Sequence, residues 1–155
     1  MRNAHLVSYT FVTAVSFVYL FIAIALVPDW QTFSGAEIQA YFAGPFQRFS
    51  LLMVPVHLLT IVTTIAAFVI HRHESGTRRL LWWAALVTML VCEVAFSAYF
   101  GSSLNPALAS GELSNEVALS TLDRWDSLHN VRTAFILTSL GCLAAIPQFE
   151  TVEPR

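Results

Sequence analysis

The stretch LDRWDSLHNVRTAFILTSLGCLAAI, residues 122–146, decides how this chain folds. Its second half is an apolar run of helical length. Its first half sets Asp123, Arg124, Trp125, Asp126, His129, Asn130 and Arg132 at the threshold of that run. In hydrocarbon each ionisable group is costly and needs a partner. On a helix turning 100° per residue, Trp125, Asp126, His129, Asn130, Arg132 and Thr133 fall within about 160° of arc, with Leu128, Val131 and Phe135 opposite. The stretch therefore reads as the upper part of a long helix, with a polar wall turned inward and an apolar wall turned to lipid.

The rest of the chain agrees. Its 155 residues are 56% hydrophobic and only 12% charged, with a mean hydropathy of +0.64. A water-soluble domain carries about twice that charge fraction. Apolar runs predict spans at about 6–27, 46–70, 80–101 and 119–147. The first three are long enough for a ~30 Å hydrocarbon layer at ~1.5 Å per residue, and the fourth gains its length from the polar threshold. The expected fold is all-α, a single-domain integral membrane four-helix bundle. Net charge is −2 and gives no footprint for nucleic acid. The expected surroundings are the lipid bilayer of a bacterial inner membrane, with a homo-oligomer or a larger membrane complex as possible assemblies.

All eight cationic residues are Arg. Arg2, Arg72, Arg78, Arg79 and Arg155 flank helix ends that share one side, which makes HRHESGTRR the cytoplasmic loop and places both termini inside. Asp29, Glu37, Glu112 and Glu116 gather at the other face. The first span, too long for a usual signal-peptide core, is read as a retained helix. Between spans 1 and 2, SGAEIQAYF predicts a short interfacial helix, with Trp30, Tyr41 and Phe42 at headgroup level. After span 3, Asn105–Pro106 and Gly111 predict an outer loop, and Ser114 or Asn115 caps the last helix. Cys92 and Cys142 lie in apolar spans without C-x-x-C spacing and read as packing residues.

Counted from the inner ends, Tyr19, His57 and Glu93 each lie roughly 20 Å up, Arg132 about 22 Å, and Asn130 and His129 about 25–27 Å, with Ser97 near that second level. Four helices thus bring a phenol, an imidazole, a carboxylate and a guanidinium to one depth in the outer half of the membrane. A polar pocket facing that side is the expectation. A buried Glu93–Arg132 ion pair that merely fixes register, and His57 as an interhelical hydrogen-bonder, are the plainer readings of the same residues. Three chemistries fit the set. His57, Glu93 and His129 have the composition of a non-haem iron or zinc site, without a motif such as H-E-x-x-H. A bis-histidine haem is disfavoured by the roughly 7 Å difference in depth between His57 and His129. The third needs no metal: His57 or His129 is a general base tuned by Glu93 or Asp126, and Arg132 and Asn130 hold a developing anion. His71 and His73, at the inner end of helix 2, are expected to be solvated.

The segment SSLNPALASGELSN…LDRWDSLHNVRTAFIL resembles the small four-helix membrane family that includes the fungal anthrone oxygenases. That family shows an N-x-P-L-N segment after helix 3, then a Trp ahead of a short polar run ending in N-x-V-R or H-N-x-R early in helix 4. Leu104, Asn105, Trp125, His129, Asn130, Val131 and Arg132 match this pattern, and Pro28, Pro45 and Arg48 fit the general plan. The resemblance implies O2-dependent oxidation of an electron-rich polycyclic phenol to a quinone, without metal or flavin. In that reading His129 is the base with His57 as its substitute, Asn130 and Arg132 stabilise the oxyanion, and Trp125 is a stacking wall. Tyr19, Ser97, Asn105, Asp126 and Arg48 complete the expected substrate-binding set, and the expected ligand is a hydrophobic aromatic small molecule. The rival is a non-catalytic subunit, or a pigment- or quinone-binding component, of a larger membrane complex.

Overall fold

Each apolar run of the sequence is the middle of a longer helix. The computed structural model describes residues 2–149, and among them it contains no strand. Four helices are long and apolar enough to cross a membrane: α1 (Asn3–Trp30), α2 (Gly35–His71), α3 (Gly76–Ala109) and α4 (Asn115–Phe149). Among the described residues, the expectation of an all-helical chain with four helices long and apolar enough to span a membrane is met. Arg155 and the side chain of Arg2 lie outside the described residues. The 37 residues of α2 extend about 55 Å, so its ends project beyond a ~30 Å hydrocarbon layer. Phe17, Ile24, Leu52, Leu58, Val62, Val87 and Val94 are exposed on the outside of the bundle. An apolar surface of that extent suits lipid and not water.

The helices form a ring in which each packs on its two neighbours in sequence, and α1 closes the ring against α4. Two apolar clusters fill the interior. The lower one joins Val12, Val15, Ala67, Trp82, Met89, Ile136 and Leu143. The upper one is aromatic, built on Trp30, Phe42, Phe46, Phe100 and Trp125. Trp125 meets Trp30, Phe46 and Phe100 edge-on at 5.5, 5.8 and 5.2 Å, an arrangement worth about 0.5–1.5 kcal/mol per pair beyond burial. Trp30 and Phe42 are thus core residues, not headgroup anchors as the sequence suggested.

Two expectations about the connections are corrected. Residues 35–41 are helical, with Ser34 and Glu37 closing a reciprocal capping box. They continue without a break into the membrane segment and form the first turns of α2. Likewise Asn105–Pro106 does not end α3, which runs on to Ala109 and leaves a turn of only residues 110–114. The reason is local. Proline lacks an N–H and its ring crowds the carbonyl four residues back. Here the helices widen into π turns at Ile22–Leu26, Phe42–Phe46 and Phe100–Leu104, beside Pro28, Pro45 and Pro106. A one-residue-wider turn absorbs the mismatch and bends the helix instead of breaking it. A fourth π segment, Val91–Phe96, has no proline and carries Glu93.

The outer end is fastened by side chains. Gln39, buried on α2, donates to the carbonyl of Leu113 (3.0 Å) and accepts from its N–H (2.9 Å). Gly35 donates to Asn115 Oδ1 at 2.7 Å, so close to α4 that a Cβ would lie 2.8 Å from Asn115 Cα. Ser114 caps α4, its hydroxyl accepting from the Val117 N–H. At the inner end, His71 is buried instead of solvated. It stacks on Trp82 at 4.7 Å, and its Nδ1 donates to Glu74 Oε1 (2.7 Å), the same oxygen that accepts from Arg78. The indole face supplies an apolar cover and the carboxylate satisfies Nδ1, while Nε2 is buried without a partner among the described residues. His73 is exposed, as expected.

Candidate functional site

Between the two apolar clusters the interior turns polar, and each helix contributes. Tyr19 comes from α1, His57 from α2, Glu93 and Ser97 from α3, and His129 and Arg132 from α4. The helical spacing noted in the sequence turns them inward. On α4, Trp125, His129, Arg132, Thr133 and Ile136 are the buried face.

The polar groups form one connected chain. Arg132 donates through Nη2 to the Tyr19 hydroxyl and to Ser97 Oγ (2.7 Å for the latter). The Tyr19 hydroxyl donates to Glu93 Oε1 at 2.9 Å. The other carboxylate oxygen of Glu93 accepts from His57 Nδ1 in a close charge-assisted contact. The Arg132 guanidinium also lies over the Tyr19 ring, 4.1 Å from its centroid, so α1 cradles the cation with both its π face and its hydroxyl. The Glu93 carboxylate is fully buried and both its oxygens are satisfied. A carboxylate here is tolerable because the Arg132 guanidinium balances its charge, while Tyr19 and His57 satisfy its two oxygens within one hydrogen-bonded network.

The tautomers follow from the partners. A carboxylate only accepts, so His57 Nδ1 carries a hydrogen, and in the neutral ring Nε2 then keeps its lone pair. Among the described residues nothing hydrogen-bonds that Nε2, and His57 lines the cavity. His129 is placed differently. Its Nε2 donates to the backbone carbonyl of Tyr19 (3.1 Å), and its ring stacks on Trp125 at 4.8 Å. Its Nδ1 is buried without a partner among the described residues, as is Arg132 Nε. Trp125 is itself held by Asn105, whose Oδ1 accepts from Nε1 at 2.9 Å.

These residues enclose a cavity of about 210 Å3. Tyr19, His57, Ser97, Asn105, Trp125, His129 and Arg132 line it, with Phe46, Phe49 and Phe100 as apolar walls. Glu93 stands behind His57 and Tyr19. Three expected residues lie elsewhere. Asn130 is exposed and donates to Asp126 Oδ1 at 2.9 Å, one turn away on the same helix. It follows His129 by 100°, enough to carry it off the inner face. Asp126 is half-buried and does not reach the cavity. Arg48 is exposed two residues beyond the buried Phe46, on the opposite side of α2. The sequence reading missed Phe46, Phe49 and Met53 as lining residues, although their spacing to His57 (i, i+3, i+7, i+11) traces one helical face. The metal set proposed from composition does not assemble. Among the described residues no three His, Cys, Asp or Glu side chains come close enough to hold an ion, and His129 turns its Nε2 to a carbonyl.

A family model described as anthrone oxygenase matches residues 42–142, well over half of the chain. The chain belongs to the anthrone oxygenase family. The matched stretch holds every cavity residue from α2, α3 and α4, while Tyr19 lies before it. The family resemblance seen in the third connection and the start of α4 is thereby established. Searches of curated proteins and of solved structures give no match.

Proposed function

We propose that this chain is a membrane-embedded oxygenase that converts a polycyclic phenol of the anthrone type to a quinone with O2. The observation that carries the reading is the Glu93–His57 pair at the cavity wall, backed by Tyr19 and Arg132. An imidazole whose Nδ1–H is held by a buried carboxylate presents Nε2 as a base, and its imidazolium is stabilised once formed. The geometry thus favours His57 over His129 as the base. His129, tied to the Tyr19 carbonyl and stacked on Trp125, positions the upper wall.

The chemistry balances without a further reactant. His57 Nε2 removes a proton from the methylene carbon of the anthrone, and the charge moves to the ring oxygen as an enolate. Arg132, the nearest cation, holds that oxyanion. The electron-rich carbon reduces O2 and forms a carbon–oxygen bond, giving a peroxide. Loss of the remaining C–H proton breaks the O–O bond, leaving the quinone carbonyl and water. One CH2 and one O2 become one C=O and one H2O.

The Arg72, Arg78 and Arg79 turn is assigned to the cytoplasm and the acidic ends to the outside, by the positive-inside rule. This places both termini inside and the cavity in the outer half of a bacterial cytoplasmic membrane. The test is direct. Protein in lipid nanodiscs, given anthrone in air, should form quinone with one O2 consumed per substrate, and Glu93→Gln should suppress it. Folded protein that oxidises anthrone no faster than empty nanodiscs overturns the reading. A coloured ligand that co-purifies and is not turned over would favour the pigment- or quinone-binding alternative.

A further inference from the structure

The cavity sits deep in a bundle whose outer end is closed by the aromatic cluster and the Gln39 clasp, which raises the question of how a substrate reaches His57. Packing between α2 and α3 is concentrated at two levels. Near the inner end residues 47–71 meet residues 76–90, and near the outer end residues 35–46 meet residues 105–109. Between those levels no comparable packing joins α2 to residues 91–104. Along this depth α4 stays packed on both its neighbours, on residues 91–104 of α3 and on residues 22–26 of α1. The cavity extends into that interval. Its lining includes Ser50, Met53 and Val54 from α2 and Gly101 from α3. Val54 is 48% exposed, and Gly101 is exposed with nothing within 4 Å of the position a Cβ would take. Leu51, Leu58 and Val94, which flank the interval on the outer surface, are exposed apolar residues of the lipid-facing belt.

We infer that the interval between α2 and α3, rimmed by Val54 and Gly101, is a lateral portal through which an apolar aromatic substrate passes from the bilayer to His57. The substrate class rests on the oxygenase reading; the portal itself does not. Size supports it. A cavity of about 210 Å3 falls below the ~300–1,000 Å3 usual for small-molecule sites. A three-ring molecule seated with its central ring between His57, at the methylene carbon, and Arg132, at the oxygen, leaves the far edge of a terminal ring in the portal, among lipid chains. A ring substituent on that far edge is admitted if it is apolar. A charged or glycosylated one would have to sit in hydrocarbon and is rejected. Gly101 supplies the width on the α3 side. It lies in the Phe100–Leu104 π turn, where the helix bulges, and it has no side chain to fill the interval.

The experiment reads access, not turnover. Ser50→Cys places a thiol on the cavity wall, and protein in nanodiscs is treated with N-(1-pyrenyl)maleimide, a polycyclic probe that partitions into lipid. The charged, water-confined reagent trimethylammonioethyl methanethiosulfonate serves as comparison. Peptide mapping separates the new thiol from Cys92 and Cys142. The pyrene reagent is expected to label the Ser50→Cys thiol faster than the charged one. Adding Gly101→Trp, or separately Val54→Trp, should slow pyrene labelling by about tenfold or more, a barrier increase of about 1.4 kcal/mol. Gly101 faces open space and Val54 is half exposed, so if one variant fails to fold the other decides. Pyrene labelling that both Trp variants leave unchanged, or charged-reagent labelling as fast as pyrene labelling, overturns the portal. Blocked labelling in a protein that never oxidises anthrone keeps the portal and removes the oxygenase reading.

Discussion

The Glu93→Gln substitution separates a catalytic dyad from a merely structural ion pair, because the two amide orientations have different consequences. Glu93 uses both oxygens, one accepting from Tyr19 and the other from His57 Nδ1. With the amide oxygen toward Tyr19, the NH2 group faces His57, and Nδ1 must become the acceptor. The ring hydrogen then moves to Nε2, and the lone pair that faces the cavity is gone. With the amide flipped, the His57 tautomer survives. The Tyr19 oxygen, already accepting from Arg132, then accepts a second bond, and its own hydrogen has no acceptor. That orphaned buried donor costs about 1–3 kcal/mol, so the first orientation wins. Loss of a positioned general base lowers the rate by about 10²–10⁴, or roughly 2.7–5.5 kcal/mol of transition-state stabilisation. The measurement is quinone formation with O2 uptake in nanodiscs, for Glu93→Gln, His57→Ala and the double variant. Each single variant should lose at least about a hundredfold, and the double should lose no more than about threefold beyond the worse single, because a dyad acts as a unit. Thermal unfolding checks the fold, since Arg132 loses its counter-charge and up to about 3–5 kcal/mol is at stake. A folded Glu93→Gln protein that keeps turnover within about threefold, or losses that simply add, would refute the base assignment.

Three other outcomes follow from the geometry. Gly35→Ala sets a Cβ 2.8 Å from Asn115 Cα and 2.9 Å from its carbonyl oxygen, and should lower stability by about 1–3 kcal/mol, seen as a reduced Tm. Glu74→Ala removes the shared acceptor of His71 and Arg78. It should cost about 1–3 kcal/mol by thermal or denaturant unfolding, while the spectrum and turnover of the surviving folded protein stay unchanged. Asn130→Ala and Arg48→Ala alter exposed positions outside the cavity. Each should leave anthrone turnover within about twofold and stability within about 0.5 kcal/mol, and a larger kinetic loss would return them to the site.

Much of this arrangement was legible in the sequence because lipid makes burial of polar groups expensive. Tyr19, His57, Glu93 and Arg132 stand out as isolated polar residues in apolar runs, and a rise of ~1.5 Å per residue is enough to match their heights. The faces were legible too: Trp125, His129, Arg132 and Thr133 fall on one side of α4 by their spacing and are buried there. Failures came where a rule fixed for one residue met tertiary context. Asn105–Pro106 read as a break, yet a π turn carries the helix past it. Trp30 and Phe42 read as headgroup aromatics, yet Trp125 recruits them into the core. Asn130 sat inside a 160° arc that was drawn too wide, and the inner face of α4 is narrower. His71 read as solvated because its stacking partner, Trp82, lies on the next helix, a pairing that local sequence does not show.

Tyr19 makes the polar layer a device instead of a pair of charges. Without it, Arg132 on α4 and Glu93 on α3 would face each other directly, and a simple buried ion pair would fix register with no opening beside it. The phenol from α1 stands between them, accepting from the guanidinium and donating to the carboxylate. That insertion leaves the second carboxylate oxygen free for His57, which lines the open side near the α2–α3 interval. The same residue offers its backbone carbonyl to His129 and so sets the upper wall. A single position on α1, outside the stretch matched by the family model, therefore orients groups on all three other helices. The structure of the site is a property of the closed four-helix ring, and the charge on α4 that first marked the sequence becomes useful only when α1 completes it.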